Sequence, residues 1–197
     1  MSKVKLLICY YSQTGHNFQM ANWAKTAAEE AGAEVRLRKV KELLDTSDPN
    51  PSWKKYLEDS KDVLEATGDD LIWADGILFS VPTRFGNVPA QMKLFIDQQG
   101  GLWAQGKLNN KVVSAMATAQ NNNGGQEMTI RSLYTSLCHW GAIIVPAGYT
   151  DNSIYAAGGN PYGTSGTATR EGFANDLESA VKHQAKRLVE VTEKFVD

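Results

Sequence analysis

Residues 4–17 read VKLLICYYSQTGHN, and this stretch decides the fold. Residues 4–10 form a continuous apolar run after a charged start. The run is too short for a helix and suits a strand covered on both faces. The next residues, Tyr11, Ser12, Gln13, Thr14, Gly15, His16 and Asn17, are polar, with one glycine and no lysine or arginine. From about residue 17 to residue 31, Phe18, Ala21, Ala24/Lys25 and Ala28 recur at helical spacing, and Gly32 is placed to end that helix. A buried strand, a short polar turn and an amphipathic helix make the opening unit of an α/β sheet.

The same alternation continues outward. Residues 34–40 (EVRLRKV) alternate apolar and charged, as a strand near a sheet edge does. Residues 41–70 are charged, carry Pro49 and Pro51, and predict a loop and one surface helix. Residues 74–81 (ADGILFSV) read as a second buried strand stopped by Pro82, and residues 88–99 as a short helix with Pro89 in its first turn. Residues 111–118 (KVVSAMAT) are the next strand, 126–140 a helix, and 142–145 (AIIV) a last short strand. A polar, glycine-rich stretch covers 146–168. Residues 170–195 predict a long amphipathic helix with Phe173, Leu177, Val181, Ala185, Leu188 and Phe195 on its apolar side. Five strands alternating with helices predict one domain over residues 1–197, a three-layer α/β/α sandwich around a five-stranded parallel sheet. Residues 148–166 are too long for an idle loop, so they are either disordered or functional.

Composition narrows the chemistry. A net charge of −2 and the lack of a basic run give no footprint for nucleic acid. Cys9 and Cys138 lie far apart inside apolar stretches and read as buried, reduced thiols. No segment approaches the ~20 apolar residues of a membrane span. The start lacks a signal-peptide pattern, so the expected compartment is the cytoplasm. No His, Cys, Asp or Glu cluster has metal-ligand spacing, so no metal is expected.

Ligands in parallel sheets bind beyond the carboxyl ends of the strands. After the first strand, a helix beginning near Gly15 exposes unpaired N–H groups and the positive end of its dipole. Ser12, Thr14 and Asn17 add polar groups, and Gly15 lets backbone come close. The lysine and magnesium-binding hydroxyl of a Walker loop are absent, as is G-x-G-x-x-G. A terminal phosphate held by dipoles fits; a triphosphate does not. Residues 101–108 (GLWAQGKL) nearly spell the Walker pattern but precede a strand where a P-loop follows one. After the third strand, Thr83, Arg84, Phe85, Gly86 and Asn87 sit between Pro82 and Pro89 in a rigid bend. Its amide and N–H groups can read a heteroaromatic edge, and its ring can lie on a flat one. After the fourth come Ala119, Gln120, Asn121, Asn122, Asn123 and Gly124, whose asparagines and glycine favour left-handed turns.

These residues resemble a known family, the WrbA-type NAD(P)H:quinone oxidoreductases of the flavodoxin-like fold, which carry FMN. The matching stretches are YYSQTGHN, PTRFGNVPAQMK, FIDQQGGLWAQGKL, GGQE, GAIIVPAGY and GGNPYG, with PTRFGN and GGLWA the most specific. The resemblance implies that residues 12–17 wrap the FMN phosphate, that Thr83, Arg84 and Phe85 line the isoalloxazine, and that Trp103 borders the space for quinone or nicotinamide. It implies NADH or NADPH as electron donor, two-electron reduction of a quinone, and a homotetramer. Three features depart from the family. Thr14 replaces a tyrosine that touches the nicotinamide nucleotide, and asparagines replace serine and threonine in the fourth-strand loop. Trp140 replaces the second of two histidines, the one that faces the flavin's pyrimidine edge. The competing functions are a flavodoxin-like electron carrier and an FMN-binding regulatory protein without turnover.

Overall fold

The computed structural model describes residues 3–196. The opening run becomes β1 (Lys5–Tyr10), followed by α1 (His16–Glu30), β2 (Glu34–Lys39), α2 (Pro51–Asp59), α3 (Gly68–Trp73) and β3 (Gly76–Pro82). Then come α4 (Ala90–Asp97), α5 (Gly100–Ala104), β4 (Val112–Ala119), α6 (Gln126–His139), β5 (Ile143–Ile144), α7 (Asn152–Ala156), β6 (Ser165–Thr167) and α8 (Glu178–Thr192). The strands lie in the order β2-β1-β3-β4-β5, with β6 also on β4, and every pairing is parallel.

Burial explains which runs became central. All residues of β1 after Lys5 are buried, as are all eight of β4, because helices cover both faces. The mixed sequence of β2 leaves its side chains partly exposed at the sheet edge. On one face α1 and α8 pack together through Ala21, Ala24, Ala28, Ala180 and Ala185, small residues that let the two helices approach closely. The other face is filled by α4 and α6, with Met92, Ile130 and Leu133 against Phe79 and Val113.

The sheet has six strands where five were expected, and the extra one explains the long glycine-rich stretch. The edge of β4 is shared: β5 pairs only with Val112 and Val113, and β6 only with residues 117–119. Between them, the backbone of Ala115 would be buried without a strand partner. Two side chains fill that role. The Tyr134 hydroxyl accepts from the Ala115 N–H at 3.1 Å, and Gln184 Nε2 donates to the Ala115 carbonyl at 2.9 Å. Gly163 passes at this gap, where a Cβ would stand 1.9 Å from the Ala115 oxygen. Residues 165–167 (SGT) carry no apolar periodicity, so their strand could not be read locally.

Other expectations shift as well. Residues 41–70 hold two helices, α2 capped by Asn50 and α3 closed by a Thr67–Asp70 capping box. Strand β3 includes Pro82, with its ladder continued by the Thr83 N–H to the Thr118 carbonyl. The last helix starts at Glu178, so Phe173 lies outside it. Cys138 is exposed, whereas Cys9 is buried as expected and burial pushes its thiol pKa up.

Candidate cofactor site

The carboxyl ends of β1, β3, β4 and β6 gather at one rim, and backbone bonds just past the strands fix where each loop begins. The Tyr11 N–H donates to the Ser80 carbonyl at 3.0 Å, Thr83 to Thr118 at 2.7 Å, and Ala168 to Ala119 at 2.7 Å. The first loop reaches α1 through Gly15, whose φ of 91° closes the turn and whose N–H donates to Ser12 Oγ at 3.0 Å. No side chain caps α1, and its ladder begins with the Gln19 N–H on the Gly15 carbonyl. The N–H groups of His16, Asn17 and Phe18 thus head the helix with no cap among the described residues, a concentrated set of donors at the positive dipole end.

Two residues of this loop hold it rather than face a ligand. The Asn17 side chain is buried, donating to Thr118 Oγ1 at 2.8 Å and accepting from Ser80 Oγ at 3.1 Å. It bolts the first turn of α1 to β3 and β4 and leaves only its N–H for an anion. The His16 ring spans Thr14 Oγ1 and the Thr169 carbonyl, each at 3.0 Å. A carbonyl only accepts, so His16 Nε2 carries the proton there. Nor is the loop remote from positive charge: Arg84 Nη2 donates to Gln13 Oε1 at 3.1 Å and brings a guanidinium to its rim.

The second loop is a two-residue hairpin. Arg84 and Asn87 exchange backbone bonds at 2.8 and 3.0 Å, while Phe85 and Gly86 have φ of 52° and 77°, the geometry of a type I′ turn. The Phe85 side chain projects fully exposed from a backbone shape that phenylalanine seldom adopts. Thr83 Oγ1 accepts from the Gly86 N–H and lies 2.7 Å from Thr129 Oγ1, while Asn87 Oδ1 accepts from the Val88 N–H and Ser132 Oγ. The third loop turns on the Asn121 carbonyl, which accepts from the Gly124 N–H and Gln126 Nε2, and Asn122 Oδ1 accepts from Thr167 Oγ1. Gln120 and Asn123 are exposed at the loop surface, and Ala119 is buried at its base. Gly125 follows at φ 95°, where a Cβ would come within 2.6 Å of the Gly86 Cα. The second and third loops therefore meet backbone to backbone, a contact the sequence reading missed.

A partly buried support adjoins them. The Tyr11 hydroxyl donates to Glu42 Oε2 at 2.9 Å, and Gln91 Nε2 to Glu42 Oε1 at 2.7 Å. Burial, then the bond to Glu42, raises the Tyr11 pKa, so the phenol stays a donor.

Trp103 and Trp140 lie elsewhere. Trp103 is in α5 and Trp140 follows α6, just before β5, whose start is level with the first residues of β4. That is the amino-terminal rim, opposite the loops above. Trp103 is 53% exposed and donates through Nε1 to the His139 carbonyl at 2.8 Å; Trp140 is 5% exposed, its ring edge-on to Phe79. Together with Ile96, Asp97, Gly100 and Ser136 they line a groove of about 290 Å³. Within one chain neither tryptophan shares the mouth with residues 12–17, because each is reached by a helix running back down the sheet.

The segment after β6 does share it. Ala168 bridges Phe173, and the Thr169 N–H bonds the Gly172 carbonyl at 2.8 Å, which leaves Arg170 and Glu171 at the tip of a turn. The Phe173 ring packs edge-on to His16 and against Trp23. Helical spacing drew these residues into the last helix; the Arg-Glu-Gly turn was the overlooked signal. Among the described residues, no three His, Cys, Asp or Glu side chains stand close enough to hold a metal ion.

The residues fit an FMN phosphate: an uncapped helix start, a glycine hinge and hydroxyls suit one terminal phosphate, and the facing second and third loops can flank a flat ring. The comparisons agree. The profile of the NADPH-dependent FMN reductase family matches residues 2–154, and the chain belongs to this family. A Deinococcus radiodurans protein named NAD(P)H dehydrogenase (quinone) is 51% identical over 195 residues, covering 98% of each chain. One of the same name from Brucella anthropi is 38% identical over 200 residues, again 98% of each. Among solved structures, a WrbA-like flavodoxin from Agrobacterium tumefaciens has a TM-score of 0.67 at 21% identity, covering 98% of this chain and 99% of that one. An archaeal flavodoxin has a TM-score of 0.63 at 14% identity, covering 96% and 99%. At these identities the structures establish the fold, which is flavodoxin-like.

Proposed function

We propose that this chain is an FMN-dependent NAD(P)H:quinone oxidoreductase that reduces quinones to hydroquinones by two electrons. The observation that carries this reading is the uncapped start of α1 at a mouth shared with the 83–87 and 119–125 loops. The names of relatives 51% and 38% identical over 98% of the chain supply the substrate classes. Bound FMN supplies the electron transfer between nicotinamide and quinone. The protein binds and orients. N–H groups of His16 and Asn17 would take the phosphate, Thr83 and Arg84 would hold the ring's polar edge, and the exposed Phe85 side chain would offer a stacking surface to either flat substrate. The side chains of Gln13, Thr14, Asn17 and Asn122 hold the loops in place through the bonds described.

We assign the domain to residues 1–197 and the compartment to the cytoplasm; no helix among the described residues is long and apolar enough to cross a membrane. A homotetramer would resolve the separation of the tryptophans: a neighbouring subunit would bring its Trp103–Trp140 groove to the mouth, beside Phe85. The test is steady-state oxidation of NADH and NADPH by the purified protein with added FMN and benzoquinone. Turnover without any other protein is the expected result. Reduction only with a separate reductase would indicate an electron carrier, and FMN binding without turnover a regulatory protein.

A further inference from the structure

The turn at residues 169–172 is gripped by the loop that opens α1. His16, the first residue of α1, bonds the Thr169 carbonyl at 3.0 Å. That carbonyl carbon is bonded to the Arg170 nitrogen, so Arg170 begins within a few ångströms of the His16 ring. The turn is held independently of any ligand. It is closed by the Thr169–Gly172 backbone bond, by the Glu171 N–H on Thr169 Oγ1 at 3.2 Å, and by Phe173 packed on His16 and Trp23. Its base is fixed by β6 and by Thr167 Oγ1 on Asn122. Arg170 is exposed, and no ion pair among the described residues includes it or Glu171.

We propose that Arg170 is a phosphate-selecting residue of the cofactor site, favouring FMN over flavins that lack the phosphate; this rests on the FMN reading above. Residues 11–15 carry no charge, and the other guanidinium nearby, Arg84, is occupied by Gln13 and the Thr83 carbonyl. A phosphate dianion at the head of α1 thus meets dipoles from the loop and one uncommitted cation from the turn. Charged side chains near this place include Arg170 and Glu171 on the turn and Arg84 at the rim of the loop. Glu171 opposes Arg170, so the two should act with opposite sign.

The test compares FMN with riboflavin, which share the ring and ribityl chain and differ in the phosphate, by quenching of flavin fluorescence. For Arg170→Gln, the expected result is FMN affinity weakened roughly 2–5-fold at low salt, the size of an exposed charge pair, with riboflavin affinity unchanged. The fall of FMN affinity between low and high salt should also flatten. Glu171→Gln should tighten FMN by about twofold. Equal losses for both flavins, or no loss for FMN, would overturn the proposal. Wild-type protein that binds neither flavin would instead remove the cofactor reading, and this proposal with it. Both side chains are exposed and the turn is closed by backbone, so the variants should fold; circular dichroism checks that.

Discussion

Phe85 separates two demands on a single residue. Its φ of 52° costs roughly 1 kcal/mol for a side chain with a Cβ, yet its ring is fully exposed and recovers nothing by packing within the chain. Strain kept without compensation points to a contact made with something else. Phe85→Asn, which tolerates this backbone, should leave the melting temperature equal or higher while lowering kcat/KM for quinone about tenfold. A variant both less stable and fully active would contradict that division. Asn17 teaches the reverse. Its position in the loop was legible from sequence, its role was not, because the partners that turn its amide inward, Ser80 and Thr118, lie on strands 63 and 101 residues away. Helix and strand periods report which face is buried, not which distant hydroxyl stands opposite.

At the scale of elements, the alternation of apolar runs was enough to give the parallel sheet and both helical layers. It was silent on β6 and the 169–172 turn, whose existence depends on the free carboxyl-end edge of β4. The side chains that fill the gap in that edge should therefore matter as much as core residues. Gln184→Leu leaves the Ser114 hydroxyl, the Ala115 carbonyl and the Thr164 N–H without their present partner. The expected cost is about 2–4 kcal/mol, measured by urea denaturation, with exchange protection lost first around residues 163–167. A second test belongs to α3, where the buried carboxylate of Asp70 accepts from Thr67, Arg36 and Arg38. Burial raises its pKa, but those hydrogen bonds and the two guanidinium charges outweigh burial and hold it below the ordinary carboxylate value. Such a depressed pKa gives stability that is present above about pH 4 and lost as pH falls through the folded value. Asp70→Asn should cost about 1–3 kcal/mol at neutral pH, and its gap from wild type should close under acid conditions. A constant gap down to pH 2 would contradict this.

For the whole molecule, the proposed function draws on residues at two ends of the sheet. The 12–17 loop, hairpin and amide-rich loop occupy the carboxyl rim, while Trp103 and Trp140 share a groove at the amino rim. Sequence motifs revealed both halves but not that the fold separates them, since spacing along a chain carries no record of which rim a loop reaches. If subunits complete each other's sites, co-expressed Gly125→Val and Trp103→Leu chains should form mixed assemblies more active than either variant alone. Activity persisting in an isolated monomer would count against shared sites. Beneath all of this lies the claim that bare backbone at the head of α1 holds a phosphate, and a crystal structure of the protein soaked with FMN tests it most directly. The account predicts phosphate oxygens about 2.7–3.1 Å from the His16 and Asn17 nitrogens, with the ring between the Phe85 turn and residues 119–125. FMN bound at any other place, or phosphate oxygens out of reach of those two nitrogens, would contradict it.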